Sequence, residues 1–264
     1  MKLGFIGCGN MAGALLSGIL KHQLFPANEI IAAEAREVAV QKAREDFGIC
    51  ATLDNKEAAS QAEILILAVK PQYYEQVILE IRDVCKEDQI IVTIAPGKTL
   101  KWLGEMFGKP MKIVRCMPNT PALVGEGITG LCCNELVSEA ELSKVCDILA
   151  GCGKTEVLSE SLMDVVVSVS GSAPAYVYIF IEAMADAAVA DGMPRAQAYK
   201  FASQAILGSA KMVLETGKHP GELKDMVCSP GGTTIEAVRV LEEKGFRSAV
   251  MEAMKACVKK AREL

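Results

Sequence analysis

The sequence predicts an α/β domain built on a doubly wound parallel sheet, followed by an all-helical domain. Three observations carry that expectation. Short apolar runs alternate with helix-length amphipathic stretches as far as about Ser159, the pattern of strands buried on both faces and joined by crossover helices. The first apolar run turns at once through Gly7-Cys-Gly9-Asn-Met-Ala12, a glycine string between a strand and a helix. Beyond Ser159 the strand signal ends, and helical patterns punctuated by Gly and Pro take over. The chain is therefore expected to divide into residues 1–159 and 160–264.

KLGFIG reads as the first strand and 10–21 as the helix that follows it. EIIAAE precedes a helix over 36–47, EILILAV one over 73–84, and QIIVTIA one over 100–107. KIVRCM is a further strand, and ITGLCC with a helix over 139–150 continues the layer. In the second part, helices are expected over 173–191, 195–215, 221–227, 233–244 and 246–263. Gly192-Met-Pro194, Gly217 with Pro220, and Gly245 separate them. The run APAYVYIFIEAMADAAVA is long and apolar enough to suggest a membrane span, but Glu182 and Asp186 interrupt it and Pro174 suits its first turn. A helix apolar nearly all round sits in a large core or an oligomer interface. The interface is the preferred reading.

A net charge of −5 opposes a nucleic-acid surface, which needs clustered Lys and Arg. The N-terminus MKLGFIGCG runs straight into a strand pattern without the features of a signal peptide. This predicts a cytoplasmic protein whose ten cysteines are reduced. No Cys-x-x-Cys occurs, and the two histidines, His22 and His219, are far apart, so no metal is expected.

The glycine string is a GxGxxA form of the dinucleotide fingerprint, which makes the first domain Rossmann-like. Gly7 permits the turn, Gly9 lets the backbone approach a pyrophosphate, and Ala12 lets the helix pack on the strand. Glu34 ends the second strand, where an acid accepts hydrogen bonds from the adenosine ribose and favours NAD. Arg36 would instead pair with the extra phosphate of NADP, so the choice between the cofactors stays open. Methyl transfer, hydride transfer and nucleotide sensing are all compatible with such a domain. Neither histidine stands in a motif with a proton partner. Reduction of a C=N bond asks for less, because a protonated imine needs positioning more than a strong acid. Candidate positioning groups follow strands: Lys70 in VKP, and Arg115, Asn119 and Thr120 in RCMPNTP.

The stretch CSPGGTTIE contains two overlapping helix starts. Ser229-Pro230 is a cap followed by a good first residue, and Thr233 with Glu236 is a capping box. Gly231 and Gly232 between them would each cost about 1 kcal/mol inside a helix. Ser229-Pro230 would set a turn and Thr233 open a helix, and the residues alone leave the reason for the glycine cost open. Ile235, Val238 and Leu241 would be its apolar face.

Together, GFIGCGNMAGAL, AVKPQ, RCMPNTPALVGEG, SVSGSAPAYVY and HPGELKDMVCSPGGTTIEAV resemble the pyrroline-5-carboxylate reductase family through nearly the whole chain. The resemblance implies reduction of 1-pyrroline-5-carboxylate to L-proline by NADPH or NADH. It implies a helical domain that interleaves with a second subunit, in a dimer or a decamer. Carried onto this sequence, it puts Phe5, Ile6, Gly7, Cys8, Gly9, Asn10 and Met11 at the pyrophosphate and Glu34 at the ribose. Asn55, Ala68, Val69, Lys70 and Pro71 would line the cofactor, with Ala95 and Gly97 near its nicotinamide end. Ser229, Gly231, Gly232 and Thr233 would hold the substrate carboxylate, and the Thr234 hydroxyl its ring nitrogen, as the catalytic contact.

Two positions depart from the family pattern: Glu34 replaces a small polar residue of some NADPH-using members, and Pro96 stands where alanine is common. A dehydrogenase of the β-hydroxyacid type is one alternative, but it wants a lysine where SGSAPAYVY stands, and the next is Lys200. A non-catalytic NAD(P) sensor is another, and it has no need of CSPGGTT.

Overall fold

The computed structural model describes residues 2–263. Eight strands, β1 (Leu3–Ile6), β2 (Ile30–Ala33), β3 (Cys50–Thr52), β4 (Ile64–Leu67), β5 (Ile90–Thr93), β6 (Lys112–Met117), β7 (Gly127–Cys133) and β8 (Gly153–Val157), form a sheet in the order β3-β2-β1-β4-β5-β6-β7-β8. Around it run α1 (Asn10–Lys21), α2 (Glu37–Phe47), α3 (Asn55–Gln61), α4 (Tyr74–Ile81), α5 (Leu100–Phe107) and α6 (Glu139–Ala150). The chain winds outward from β1 to β3, returns to β4 on the other side of β1, and so leaves a topological switch point between β1 and β4. In such sheets the crevice beyond the strand C-termini at that point is where ligands bind.

All four residues of β1, β2, β4 and β5 are buried, as the unbroken apolar runs require. Alternate residues face opposite sides. Leu3, Phe5, Ile30, Ile64 and Ile66 join α1 and α6 in one core, while Ile6, Ile31, Leu65 and Leu67 join α3, α4 and α5 in the other.

The expectation of a parallel sheet holds through β6 and is corrected at β7, which pairs antiparallel with β6. Residues 118–126 hold just a 3-10 turn, Thr120–Val124, too little chain for the crossover that a parallel neighbour needs. β8 then runs parallel to β7. Sequence periodicity also missed β3, which has three residues, and β8, whose sequence GKTEV is polar and largely exposed.

By their internal contacts the residues form two compact units: those up to Ser172 together with those from Cys257 onward, and Ala173–Ala256. The first also contains α7 (Met163–Val166), absent from the sequence reading, and a π-helical turn, Val167–Gly171. The second contains α8 (Ala173–Ala190), α9 (Arg195–Thr216), α10 (Pro220–Val227), α11 (Thr233–Glu243) and most of α12 (Phe246–Ala261). Among its described residues Ala185, Ala198 and Ala202 are buried, whereas Tyr178, Ile179, Phe201 and Leu214 are exposed. A unit this apolar and this open lacks a core of its own size. The helical run Glu160–Ala190 is long and apolar enough to cross a membrane by length and composition, with mean hydropathy 1.4.

Candidate active site

In the first unit the turn after β1 has the geometry its glycines permit. Gly7 has φ of +90°, and an added Cβ would lie 3.1 Å from the Ala68 carbonyl, so the left-handed conformation and the close approach both require glycine. Gly9 caps α1 in an extended conformation and offers no side chain to its first N–H groups. A Cβ at Gly9 would meet open space. Ala12 is buried where α1 packs on the sheet. A helix N-terminus with open donors and an open approach is a phosphate site, so the residues present fit a dinucleotide.

Beside this turn lies a cleft of about 480 Å³, whose lining includes Gly9, Asn10, Glu34, Arg36, Lys42 and Asp46. Glu34 directly follows β2, and its N–H donates to the Thr52 carbonyl at 3.0 Å. Its carboxylate accepts a hydrogen bond from the Cys8 N–H, which ties the end of β2 to the glycine turn. Burial pushes the Cys8 thiol up to about 11, with the Glu34 and Asp46 carboxylates adding to the effect. At neutral pH this thiol is protonated and inert.

The remaining cofactor candidates lie at the same sheet edge. Ala68, Val69, Lys70 and Pro71 follow β4, with the Ala68 N–H donating to the Ile6 carbonyl at 2.9 Å and the Lys70 side chain exposed. Ala95 and Gly97 follow β5; Ala95 is buried and its N–H reaches back to Thr93 Oγ1 at 3.4 Å. Asn55 opens α3 beyond β3, and its amide donates to Glu80 at 2.9 Å. Phe5 and Ile6 are strand residues of the two cores, so their backbone is what they can offer a ligand.

Sequence reasoning missed Tyr74. It is fully buried, its hydroxyl donates to the Leu67 carbonyl at 2.5 Å and receives a bond from Thr93 Oγ1 at 3.0 Å. One phenol thereby pins the ends of β4 and β5 together, and burial pushes its pKa well above the usual phenol value. No motif announces it, because its two partners come from different strands.

Two positioning candidates are scaffold instead. Arg115 is buried, with its guanidinium 3.0 Å from Glu160 and 3.7 Å from Asp164. Asn119 donates to the Ser170 carbonyl at 3.2 Å and accepts from the Ile128 N–H at 2.9 Å, which uses both ends of its amide.

In the second unit no helix starts at Ser229-Pro230, and the helix opens at Thr233 as expected, though without the capping box. Ser229, Pro230, Gly231 and Gly232 make a tight turn in which the Gly232 N–H donates to the Ser229 carbonyl at 3.0 Å. Pro230 at the second position and Gly231 at the third, with φ of +68°, are the residues a type II turn demands. Gly232 then caps α11, so Thr233 is already the first helical residue and makes no side-chain cap. The capping box is therefore absent, and Glu236 pairs with Arg239 at 2.8 Å. A Cβ on Gly232 would collide with Ser229 Oγ. The consequence is a second helix N-terminus open to an anion, with Thr233 and Thr234 in its first turn. His219 takes the capping role expected of it: its Nδ1 accepts from the Gly221 N–H at 3.0 Å and caps α10.

Residues 160–264 match the family model described as pyrroline-5-carboxylate reductase dimerisation, and residues 2–97 match that described as NADP oxidoreductase coenzyme F420-dependent. A pyrroline-5-carboxylate reductase of Escherichia coli (strain K12) is 53% identical over 263 residues, covering 100% of this chain and 98% of that protein. The chain belongs to the pyrroline-5-carboxylate reductase family. A solved reductase of this family from Coxiella burnetii is 34% identical with a TM-score of 0.93, and covers 99% of this chain and 97% of its own. The Plasmodium falciparum pyrroline carboxylate reductase, solved with NADP bound, is 33% identical with a TM-score of 0.90, over 100% and 97%. The family model matched by the helical part of the chain is a dimerisation domain, which accords with the apolar side chains that α8 leaves exposed.

Proposed function

We infer that this chain reduces 1-pyrroline-5-carboxylate to L-proline with NADPH or NADH. The observation that carries the reading is the open N-terminus of α11 behind the Ser229–Gly232 turn, in a chain 53% identical to a reductase of that name over its full length. A β-hydroxyacid dehydrogenase or a non-catalytic NAD(P) sensor is not favoured by that similarity.

The chemistry divides between the two turns. The first N–H groups of α1, left uncapped by Gly9, would hold the pyrophosphate, with Glu34 at the ribose. Asn55, the Ala68, Val69, Lys70 and Pro71 loop, and Ala95 with Gly97 would line the rest. When bound, the reduced nicotinamide supplies a hydride for the ring C=N carbon. The N–H groups at the start of α11, with Ser229 and Thr233, would hold the substrate carboxylate, and glycine at 231 and 232 leaves it a path. Thr234 would present its hydroxyl to the ring nitrogen and orient the protonated imine. Imine, one proton and reduced cofactor then give proline and oxidised cofactor. No strong acid is required, which fits the absence of a histidine with a proton partner from the described glycine turns.

On the same reading residues 1–159 form the cofactor domain and 160–264 the substrate and dimerisation domain, the start of the matching family model at 160 supporting the division. We propose a cytoplasmic homodimer, or a decamer built from dimers, a reading that the match to a dimerisation model supports as far as self-association. The test is direct: purified protein given pyrroline-5-carboxylate with NADPH or NADH should consume the reduced cofactor and form proline. Folded, oligomeric protein that turns over with neither would refute the reading.

A further inference from the structure

We propose that Glu34 makes this enzyme select NADH over NADPH; the proposal rests on the function above and goes beyond it by naming the cofactor. Glu34 is not a freely swinging surface charge. Its backbone N–H is bonded to Thr52 and its carboxylate to the Cys8 N–H, so the charge is tethered on both sides within the cleft beside the phosphate turn. A ribose with free 2′ and 3′ hydroxyls can donate to that carboxylate. A 2′-phosphate is mostly dianionic at neutral pH and would face the carboxylate as a like charge.

The cations of the cleft do little to offset this. Lys42 is paired with Asp46 at 3.0 Å, so its charge is already matched by a second carboxylate. Arg36 makes no ion pair among the described residues, but it is exposed, where water and salt screen it. A fixed, half-buried carboxylate opposes one solvated guanidinium, and the carboxylate dominates.

The experiment is calorimetric titration of the full chain with NAD+ and with NADP+, without substrate, followed by turnover with the two reduced forms. Wild-type protein should bind NADP+ about tenfold or more weakly than NAD+, the penalty of one partly screened like-charge contact. Glu34→Ser and Glu34→Gln should strengthen NADP+ binding and bring the two affinities together, and the Gln variant keeps an acceptor for the Cys8 N–H. Equal or tighter wild-type binding of NADP+ would overturn the proposal. So would an unchanged ratio in both variants, or equal loss of both cofactors in the Gln variant, which would make Glu34 a brace for the turn. Glu34-dependent preference without reduction of pyrroline-5-carboxylate would sink the proposed function and leave this inference standing. Turnover with NADPH at least as efficient as with NADH would do the reverse.

Discussion

Replacing Gly231 with alanine isolates the role of one backbone conformation. Gly231 has φ of +68°, and a Cβ there would meet nothing within 4 Å, so the substitution adds no clash and tests the dihedral alone. An alanine held in the left-handed region costs about 1–2 kcal/mol. That cost has two places to go. If the turn survives, with its Gly232 N–H bonded to Ser229 at 3.0 Å, the free energy of unfolding falls by that amount. If the turn relaxes instead, the open N-terminus of α11 is populated less, and KM for pyrroline-5-carboxylate rises by up to about five- to thirtyfold. Gly231→Asn should recover most of either loss, because asparagine tolerates this conformation. The assay is a urea denaturation midpoint at fixed protein concentration, beside steady-state kinetics and cofactor titration for both variants. Cofactor affinity should stay at the wild-type value. An alanine variant with unchanged midpoint and unchanged KM would refute the claim that this turn needs glycine.

Thr234→Ala should lower kcat/KM by about tenfold to a hundredfold, the worth of a hydrogen bond to a charged group, and leave cofactor affinity intact; lost cofactor binding would mean its role is misassigned. Glu160→Ala strips the buried Arg115 of its 3.0 Å partner and the Leu100 N–H of its acceptor, and should destabilise the fold by about 2–3 kcal/mol. Arg115→Met, which removes the buried charge itself, should cost less by urea denaturation; the opposite order would count against a buried-charge penalty. Alkaline pH should weaken the fold, since burial holds the thiols of Cys8 and Cys85 up to about 11 and of Cys132 up to about 12, against an ordinary 9.0. Above pH 9 the unfolded chain loses protons that the folded chain keeps, so stability declines from there until the folded thiols ionise. A Cys132→Ala variant with the same decline in midpoint would remove that thiol from the account.

Much of this protein is local, and what is local is legible in its sequence. The strands β1, β2, β4, β5 and β6 are apolar because both faces are covered, and α1 and α5 occupy the residues their periodicity marks. Gly7 and Gly231 stand where the backbone enters the left-handed region, and each can be read from its neighbours within a few residues. The glycine turn after β1 and the Ser229–Gly232 turn were therefore visible before any fold was known. What periodicity could not express is pairing. The reversal at β7 follows from how little chain separates it from β6, and the edge strands β3 and β8 are too short or too polar to announce themselves. The capping box at Thr233 is a sound local motif, yet Gly232 takes the cap and Glu236 turns to Arg239. Arg115, Tyr74 and Glu34 acquire their roles from Glu160, from Leu67 and Thr93, and from Cys8, partners brought close by the sheet and its loops. A hydrogen bond or ion pair depends on two groups meeting in space. The sequence determined which groups this chain has and how each segment prefers to run, and the tertiary structure decided which of them meet.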